Sequence, residues 1–326
     1  MMLKNNGKPG NGAHPIFTLN LRGKLLGLET PAVMGILNVT DDSFFAESRV
    51  GLAAGTAGGD VAGGGAAGSF SAGGSGGSAA TGGRGDVPVS LLIDRAGRML
   101  EEGATFLDIG GQSTRPGSRA IGAAQETDRV VPVIETLMQH FPEALLSIDT
   151  YHSAVARAAV AAGASLVNDI SSGSLDREMI PTVATLRVPY IAMHMQGTPD
   201  SMQQEPHYGD VTREVLQYLA EVSKTCADAG IHDVIVDPGF GFGKTYAHNF
   251  SLLNHLELFA LLSRPILVGL SRKSTIYKTL KTTPEKALNG TTVLNTIALM
   301  KGAHILRVHD VREAVEAIRL VGAVGV

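Results

Sequence analysis

PAVMGILNVTDDSFF, residues 31–45, decides the fold. The run from Ala32 to Leu37 is apolar throughout, the pattern of a strand buried on both faces, and it gives way after Asn38 to Thr40, Asp41, Asp42 and Ser43. An apolar strand with a polar end recurs seven more times, near 105–111, 145–150, 165–170, 188–195, 233–238, 265–271 and 304–309. Helical patterns fill the intervals, over 88–102, 123–140, 152–162, 175–187, 210–229, 248–262, 286–301 and 311–322. Eight strand–helix units predict a (β/α)8 TIM barrel, a fold of about 250 residues whose site lies at the C-terminal strand ends. An open doubly wound sheet is the alternative; it would carry a glycine fingerprint after its first strand, where this chain has Asn-Val-Thr. Ahead of the first strand, IFTLNLRGKLLGLE (16–29) alternates and turns at Arg22-Gly23, a β-hairpin expected to plug one end of the barrel.

The expected organisation is one barrel domain over 15–326, behind a flexible polar arm at 1–14. A low-complexity insert at 51–87 follows the first strand and holds 15 of the chain's 40 glycines. With no fixed spacing and no lysine at the expected place, it reads as a flexible loop and not as a phosphate cradle. A net charge of -4 gives no electrostatic support for binding nucleic acid or an anionic membrane. With no signal-peptide core and no run of 18 apolar residues, a cytoplasmic protein is expected. The one cysteine, Cys226, is expected to be a reduced structural thiol.

In a barrel the polar strand ends face a common cavity. They are Asn38, Asp108, Asp149, Asn168 with Asp169, His194, Asp237, Lys273, and Arg307 with His309. Any one of them alone reads as a turn or helix cap, but acidic, amide and cationic groups recurring at nearly every strand make a pocket. Carboxylates and amides suit a flat heterocycle with adjacent N–H donors, because a carboxylate accepts two parallel hydrogen bonds. Lys273, Arg307 and His309 follow strands seven and eight, where this fold commonly holds phosphate. Two motifs are decoys. DPGFGFGKT (237–245) ends like a P-loop, but its first glycine would fall at Pro238. His194 has no second ligand at metal spacing and reads as structural or pocket-lining.

The motifs MGILNVTDDSF (34–44), DIGGQSTRPGS (108–118), SIDT (147–150), NDIS (168–171), MHMQGTP (193–199), DPGFGFGK (237–244), SRKS (271–274) and RVHD (307–310), in this order, resemble those of dihydropteroate synthase. The resemblance runs from about 16 to 322, apart from the insert. It implies a transferase of folate biosynthesis that joins 6-hydroxymethyl-7,8-dihydropterin diphosphate to 4-aminobenzoate, with Mg²⁺ as cofactor. It implies also a homodimer, for which the apolar patterning of the last two helices offers an interface, with sulfonamides as competitors. By similarity Asp149, Asn168, Asp237 and Lys273 hold the pterin ring, and Met193 and Phe242 line its slot. Asn38 is the magnesium-linked residue, Arg307 and His309 clamp the anion, and Ser274 meets the aminobenzoate carboxylate at a helix N-terminus. Asp42 and Phe44, with Thr114, Arg115 and Pro116, belong to two loops that close over the diphosphate. The chain departs from the family's first loop: Asp41 stands for a proline, Phe45 for a serine and Ala46 for an aspartate, so altered loop closure is expected. Two other readings stay open. Corrinoid-dependent methyltransferases share the Asp/Asn ring pattern but have no use for STRPG, SRKS and RVHD, and a pterin-binding protein without catalysis would fit Ala46 and the insert.

Overall fold

The computed structural model describes residues 17–39, 89–112 and 120–325. The expected arm at 1–14 and insert at 51–87 lie outside them. The hairpin β1 (Thr18–Leu21) and β2 (Lys24–Gly27) comes first, then the first barrel strand, β3 (Ala32–Asn38). The barrel continues as α1 (Val89–Glu101), β4 (Phe106–Gly110), α2 (Ala123–His140), β5 (Leu145–Asp149), α3 (Ser153–Ala162), β6 (Leu166–Asp169), α4 (Met179–Leu186) and β7 (Tyr190–Met193). It ends with α5 (Val211–Asp228), β8 (Val234–Asp237), α6 (Tyr246–Asn254), β9 (Leu267–Val268), α7 (Ser274–Thr279), α8 (Leu288–Met300), β10 (Ile305–Val308) and α9 (Val311–Val324).

The eight parallel strands run in the order β8-β7-β6-β5-β4-β3-β10-β9. The two ends of that order meet through a parallel bridge between Val236 and Ile266, with Val236 N–H donating to Pro265 O at 2.9 Å, so the sheet closes on itself as a (β/α)8 barrel.

Strand alternation explains two separate cores. Met34, Phe106, Leu166, Ile191, Ile235, Leu267 and Ile305 point into the barrel. Their neighbours in sequence, among them Val33, Leu107, Val167, Val236 and Leu306, pack outward against the helices. The inward cluster is completed by Leu19, Leu21 and Leu28 of the hairpin, which plugs the N-terminal end as expected. Arg22 (φ 56°) and Gly23 (φ 92°) both have the positive φ of the tight turn that matches hairpin twist. Asn20 caps this turn, its Oδ1 accepting Gly23 N–H at 2.7 Å, while its own N–H donates to Asp233 Oδ2 at 2.8 Å and ties the plug to the barrel. Burying each plug leucine contributes about 1.5–3 kcal/mol.

One expected helix differs. The pattern over 248–262 splits into α6 and a 3-10 helix, Leu256–Leu262. Leu256 and Phe259 are its buried residues, and that three-residue spacing suits three residues per turn better than 3.6. The short helix α7 is not among the helices read from hydrophobic pattern, but it begins at Ser274, where the resemblance implies a helix N-terminus.

Candidate active site

Inward alternation at the upper strand ends brings Asp108, Asp149, Asn168, Met193, Asp237 and Arg307 together above the apolar layer. Arg307 joins them: its Nε donates to Asp108 Oδ2 and its Nη2 to Asp149 Oδ2, both at 2.6 Å. Asp108, fully buried, also accepts Asn168 Nδ2 at 3.0 Å on the same oxygen. Because Asp108 offers only acceptors, the Asn168 amide nitrogen must face it, and the Asn168 carbonyl oxygen is left for another partner. Asp237 Oδ1 accepts Gly239 N–H at 2.7 Å.

Three carboxylates, those of Asp108, Asp149 and Asp237, thus share the barrel mouth with two cations, Arg307 and Lys273. Burial pushes the Asp149 carboxyl upward, opposed by Arg307, and pushes Asp237 upward, opposed by Lys273. Burial also lowers the Lys273 ammonium to about 8, with Asp237 resisting. Burial works against the charge of Arg307 too, but Asp108 and Asp149 overcome it and hold the guanidinium above its ordinary value.

The segment after β8 shapes one wall. Lys273 Nζ donates to Phe240 O and lies 4.6 Å above the Phe242 ring, a cation–π contact. Lys244, the P-loop decoy, is buried and holds this wall in place. Its Nζ donates to His194 O (3.2 Å), Gly239 O (3.0 Å) and Phe242 O (3.0 Å), and lies 2.9 Å from His194 Nδ1. A lysine so enclosed cannot reach a phosphate. Only glycine fits where the wall crosses β7: a Cβ at Gly239 (φ +70°) would stand 1.9 Å from His194 O.

Two expected cavity residues face away from it. Asn168 and Met193 point inward, so by the two-residue alternation their neighbours Asp169 and His194 point outward. Asp169 accepts Ser171 N–H and Oγ, Gly173 N–H and the Tyr190 hydroxyl, each at 2.7 Å, and organises the loop after β6. His194 stands edge-on to Tyr218 with ring centroids 4.9 Å apart, and burial with nearby Lys244 lowers its imidazole to about 3. It is a structural histidine.

On the opposite side, Ser271 Oγ lies 2.9 Å from His309 Nδ1, and Arg272 binds Asp310 through Nε (2.8 Å) and Nη2 (2.7 Å). Ser274 opens α7 and is partly exposed. At the end of β3, Asn38 Oδ1 and Asp149 Oδ2 overhang Gly110, where a Cβ would lie 3.2 and 3.8 Å from them. Among the described residues no group of three or more His, Cys, Asp or Glu is placed to hold a metal. Asp42, Phe44, Thr114, Arg115 and Pro116, like Ala46, lie outside the described residues. Sequence reasoning put Asp108 in the cavity without giving it a partner, and left Ser271 and Lys244 out of the site. Asp108 stood among the strand ends, and Ser271 opened the SRKS motif. Nothing in spacing alone marks Lys244 as a buried pin.

Residues 77–309 match the family described as pterin binding enzyme. Dihydropteroate synthase of Escherichia coli (strain K12) is 40% identical over 306 residues, covering 93% of this chain and 94% of that protein. The chain belongs to the dihydropteroate synthase family. Solved dihydropteroate synthases agree in fold. The Yersinia pestis enzyme, in a sulfonamide drug complex, has a TM-score of 0.78 at 38% identity, covering 95% of this chain and 99% of its own. The Xanthomonas albilineans enzyme with 4-aminobenzoic acid has a TM-score of 0.77 at 38% identity, covering 94% and 98%.

The Lys244 pin is directly testable in this dihydropteroate synthase relative. Lys244→Met keeps the stem but strips a donor from three backbone carbonyls, and a loss of about 3–5 kcal/mol is expected in urea unfolding. A loss under about 1 kcal/mol would mean that the pin contributes little.

Proposed function

We propose that the barrel mouth carries out the dihydropteroate synthase reaction through the residues described above. The substrates are 6-hydroxymethyl-7,8-dihydropterin diphosphate and 4-aminobenzoate, and the products are 7,8-dihydropteroate and diphosphate. One observation carries the assignment of roles. After every internal bond is drawn, Asp108 Oδ1, Asp149 Oδ1, Asn168 Oδ1 and Asp237 Oδ2 have no hydrogen-bond partner among the described residues, and Asp108 Oδ1 is sealed from solvent. The acceptors left on Asp149, Asn168 and Asp237 match the N–H edge of a reduced pterin, with Lys273 as the matching donor to a ring acceptor. Met193 and Phe242 supply apolar faces for the flat ring.

The reaction is heterolysis followed by capture. The bond between the pterin methylene carbon and the bridging oxygen breaks, and its electron pair leaves with diphosphate. The cationic carbon is stabilised by the electron-rich ring and by the carboxylates of Asp149 and Asp237. The neutral arylamine of 4-aminobenzoate attacks with its lone pair and then loses one proton. Arg307, with Nη1 unused among the described residues, and His309 take the leaving diphosphate. Ser274 meets the aminobenzoate carboxylate. Asp42, Phe44, Thr114, Arg115 and Pro116 are assigned to the closing loops on their motifs alone.

Mg²⁺ belongs in the same proposal. The Asn38 carboxamide oxygen at the end of β3 is the kind of hard donor that would hold this ion together with substrate phosphate oxygens. Bound there it would neutralise charge on the departing diphosphate.

Sulfonamides are proposed as competitors for the aminobenzoate position, as the complexes of the two relatives suggest. A homodimer is proposed through α8 and α9, whose Val293, Met300, Leu320 and Val324 are exposed apolar residues. Light scattering of the purified chain is expected to give the mass of two chains, and the mass of one would overturn the pairing. The cytoplasm is proposed as the compartment because the chain's one cysteine, Cys226, allows no disulfide within it. No described helix is long and apolar enough to cross a membrane.

The reaction is tested by following diphosphate release with Mg²⁺, with and without 4-aminobenzoate. Release that depends on 4-aminobenzoate and yields dihydropteroate is expected. Pterin binding without release would contradict the catalytic reading.

A further inference from the structure

Two contacts lock the loops after β9 and β10 side by side. Arg272 grips Asp310 through two nitrogens and also donates from Nη1 to Pro284 O (3.1 Å) and Glu285 O (2.9 Å). Beside it, Ser271 Oγ lies 2.9 Å from His309 Nδ1 and accepts the His309 backbone N–H at 3.1 Å. Ser271 is buried, and these are its only side-chain hydrogen bonds among the described residues.

Counting protons decides the tautomer. A hydroxyl donates once and accepts twice, and the backbone N–H of His309 already takes one acceptor place. If Nδ1 also carried a proton, Ser271 Oγ would accept twice and its own hydrogen would have no described acceptor in a buried position. That arrangement is costly. If Nδ1 is bare, the hydroxyl donates to it and both groups are satisfied. The imidazole proton then resides on Nε2, which has no described protein partner on a ring that is only half-buried.

We infer that Ser271 is a positioning residue that fixes His309 as the neutral Nε2–H tautomer, so that the ring offers one directed N–H donor, and not a cation, to an anionic group at the barrel mouth. The second half rests on the reading of that mouth as a diphosphate site. The surroundings support neutrality. Burial, then Arg307 on the same strand, lower the imidazole to about 3; Arg95 of α1 and Arg272 push the same way, and Asp310 alone opposes them. A neutral imidazole N–H is too weak an acid to protonate the leaving group. His309 therefore steadies diphosphate by a hydrogen bond, with no proton changing hands.

The test is two-bond ¹H–¹⁵N correlation of the full chain labelled at histidine, with the His309 signals identified by their loss in His309→Gln. In wild type the Nε2–H tautomer pattern is expected, unchanged from about pH 5.5 to 8. In Ser271→Ala the pattern should average between the two neutral tautomers, and Ser271→Thr, which keeps the hydroxyl, should restore it. KM for the pterin diphosphate should rise about tenfold in Ser271→Ala with little change in KM for 4-aminobenzoate. An Nδ1–H or imidazolium pattern in wild type, or an unchanged one in Ser271→Ala, overturns the assignment of Ser271. Adding inorganic diphosphate separates the two halves. A shift of the Nε2–H signal supports the donor role, whereas a correct tautomer that ignores diphosphate overturns the anion reading of the mouth and leaves the positioning of His309 standing.

Discussion

Arg307 between Asp108 and Asp149 is the contact on which the site depends. A barrel interior is ordinarily closed by apolar layers, and carboxylates gathered there repel one another and lose their hydration. A guanidinium whose Nε and Nη2 reach two separate carboxylates pairs with both through directed bonds, which a lysine ammonium on the same strand could do only as a point charge. The contact also spans the barrel wall, since β10 lies beside β3 and β3 beside β4. Its contribution to net stability is small once desolvation is counted. What it secures is orientation: Asp108 turns the Asn168 amide, and the unused oxygens are left facing the mouth.

The two sides of the mouth solve different problems. On the side proposed for the ring the chain has acceptors with fixed directions and Lys273, whose ammonium burial lowers to about 8. On the side proposed for the anion it has a permanent cation, Arg307, together with His309, whose imidazole burial and Arg307 lower and whose tautomer Ser271 is proposed to fix. In the proposed reaction, charge that develops, positive at the methylene and negative on diphosphate, would be met by groups already in place, so little reorganisation would be needed as the bond breaks.

The fold was readable because each barrel strand is a short apolar run with an abrupt polar end, and the hairpin because alternation and Arg22-Gly23 mark it. The gathering of Asp149, Asn168 and Asp237 at the mouth was readable for the same reason, because each lies at the end of its strand. Asp169 and His194 were misplaced because a catalogue of strand ends treats adjacent residues alike, whereas the pleat sends them to opposite faces. Lys244 was not readable, since its role exists only where carbonyls from two distant segments converge. Leu256 and Phe259 escaped for a local reason, because a three-residue spacing within a longer apolar run looks like part of an α-helix.

The most direct test is titration of 6-hydroxymethyl-7,8-dihydropterin, without its diphosphate, into wild type and Asp149→Asn, with thermal unfolding of both. Asn keeps the shape of the side chain and removes the charge that pairs with Arg307 and would accept the ring N–H groups. Affinity should fall about 30-fold or more, as expected for losing hydrogen bonds to a charged group, while the unfolding midpoint moves little. Equal affinity in the two proteins would contradict the ring site built on Arg307 and Asp149.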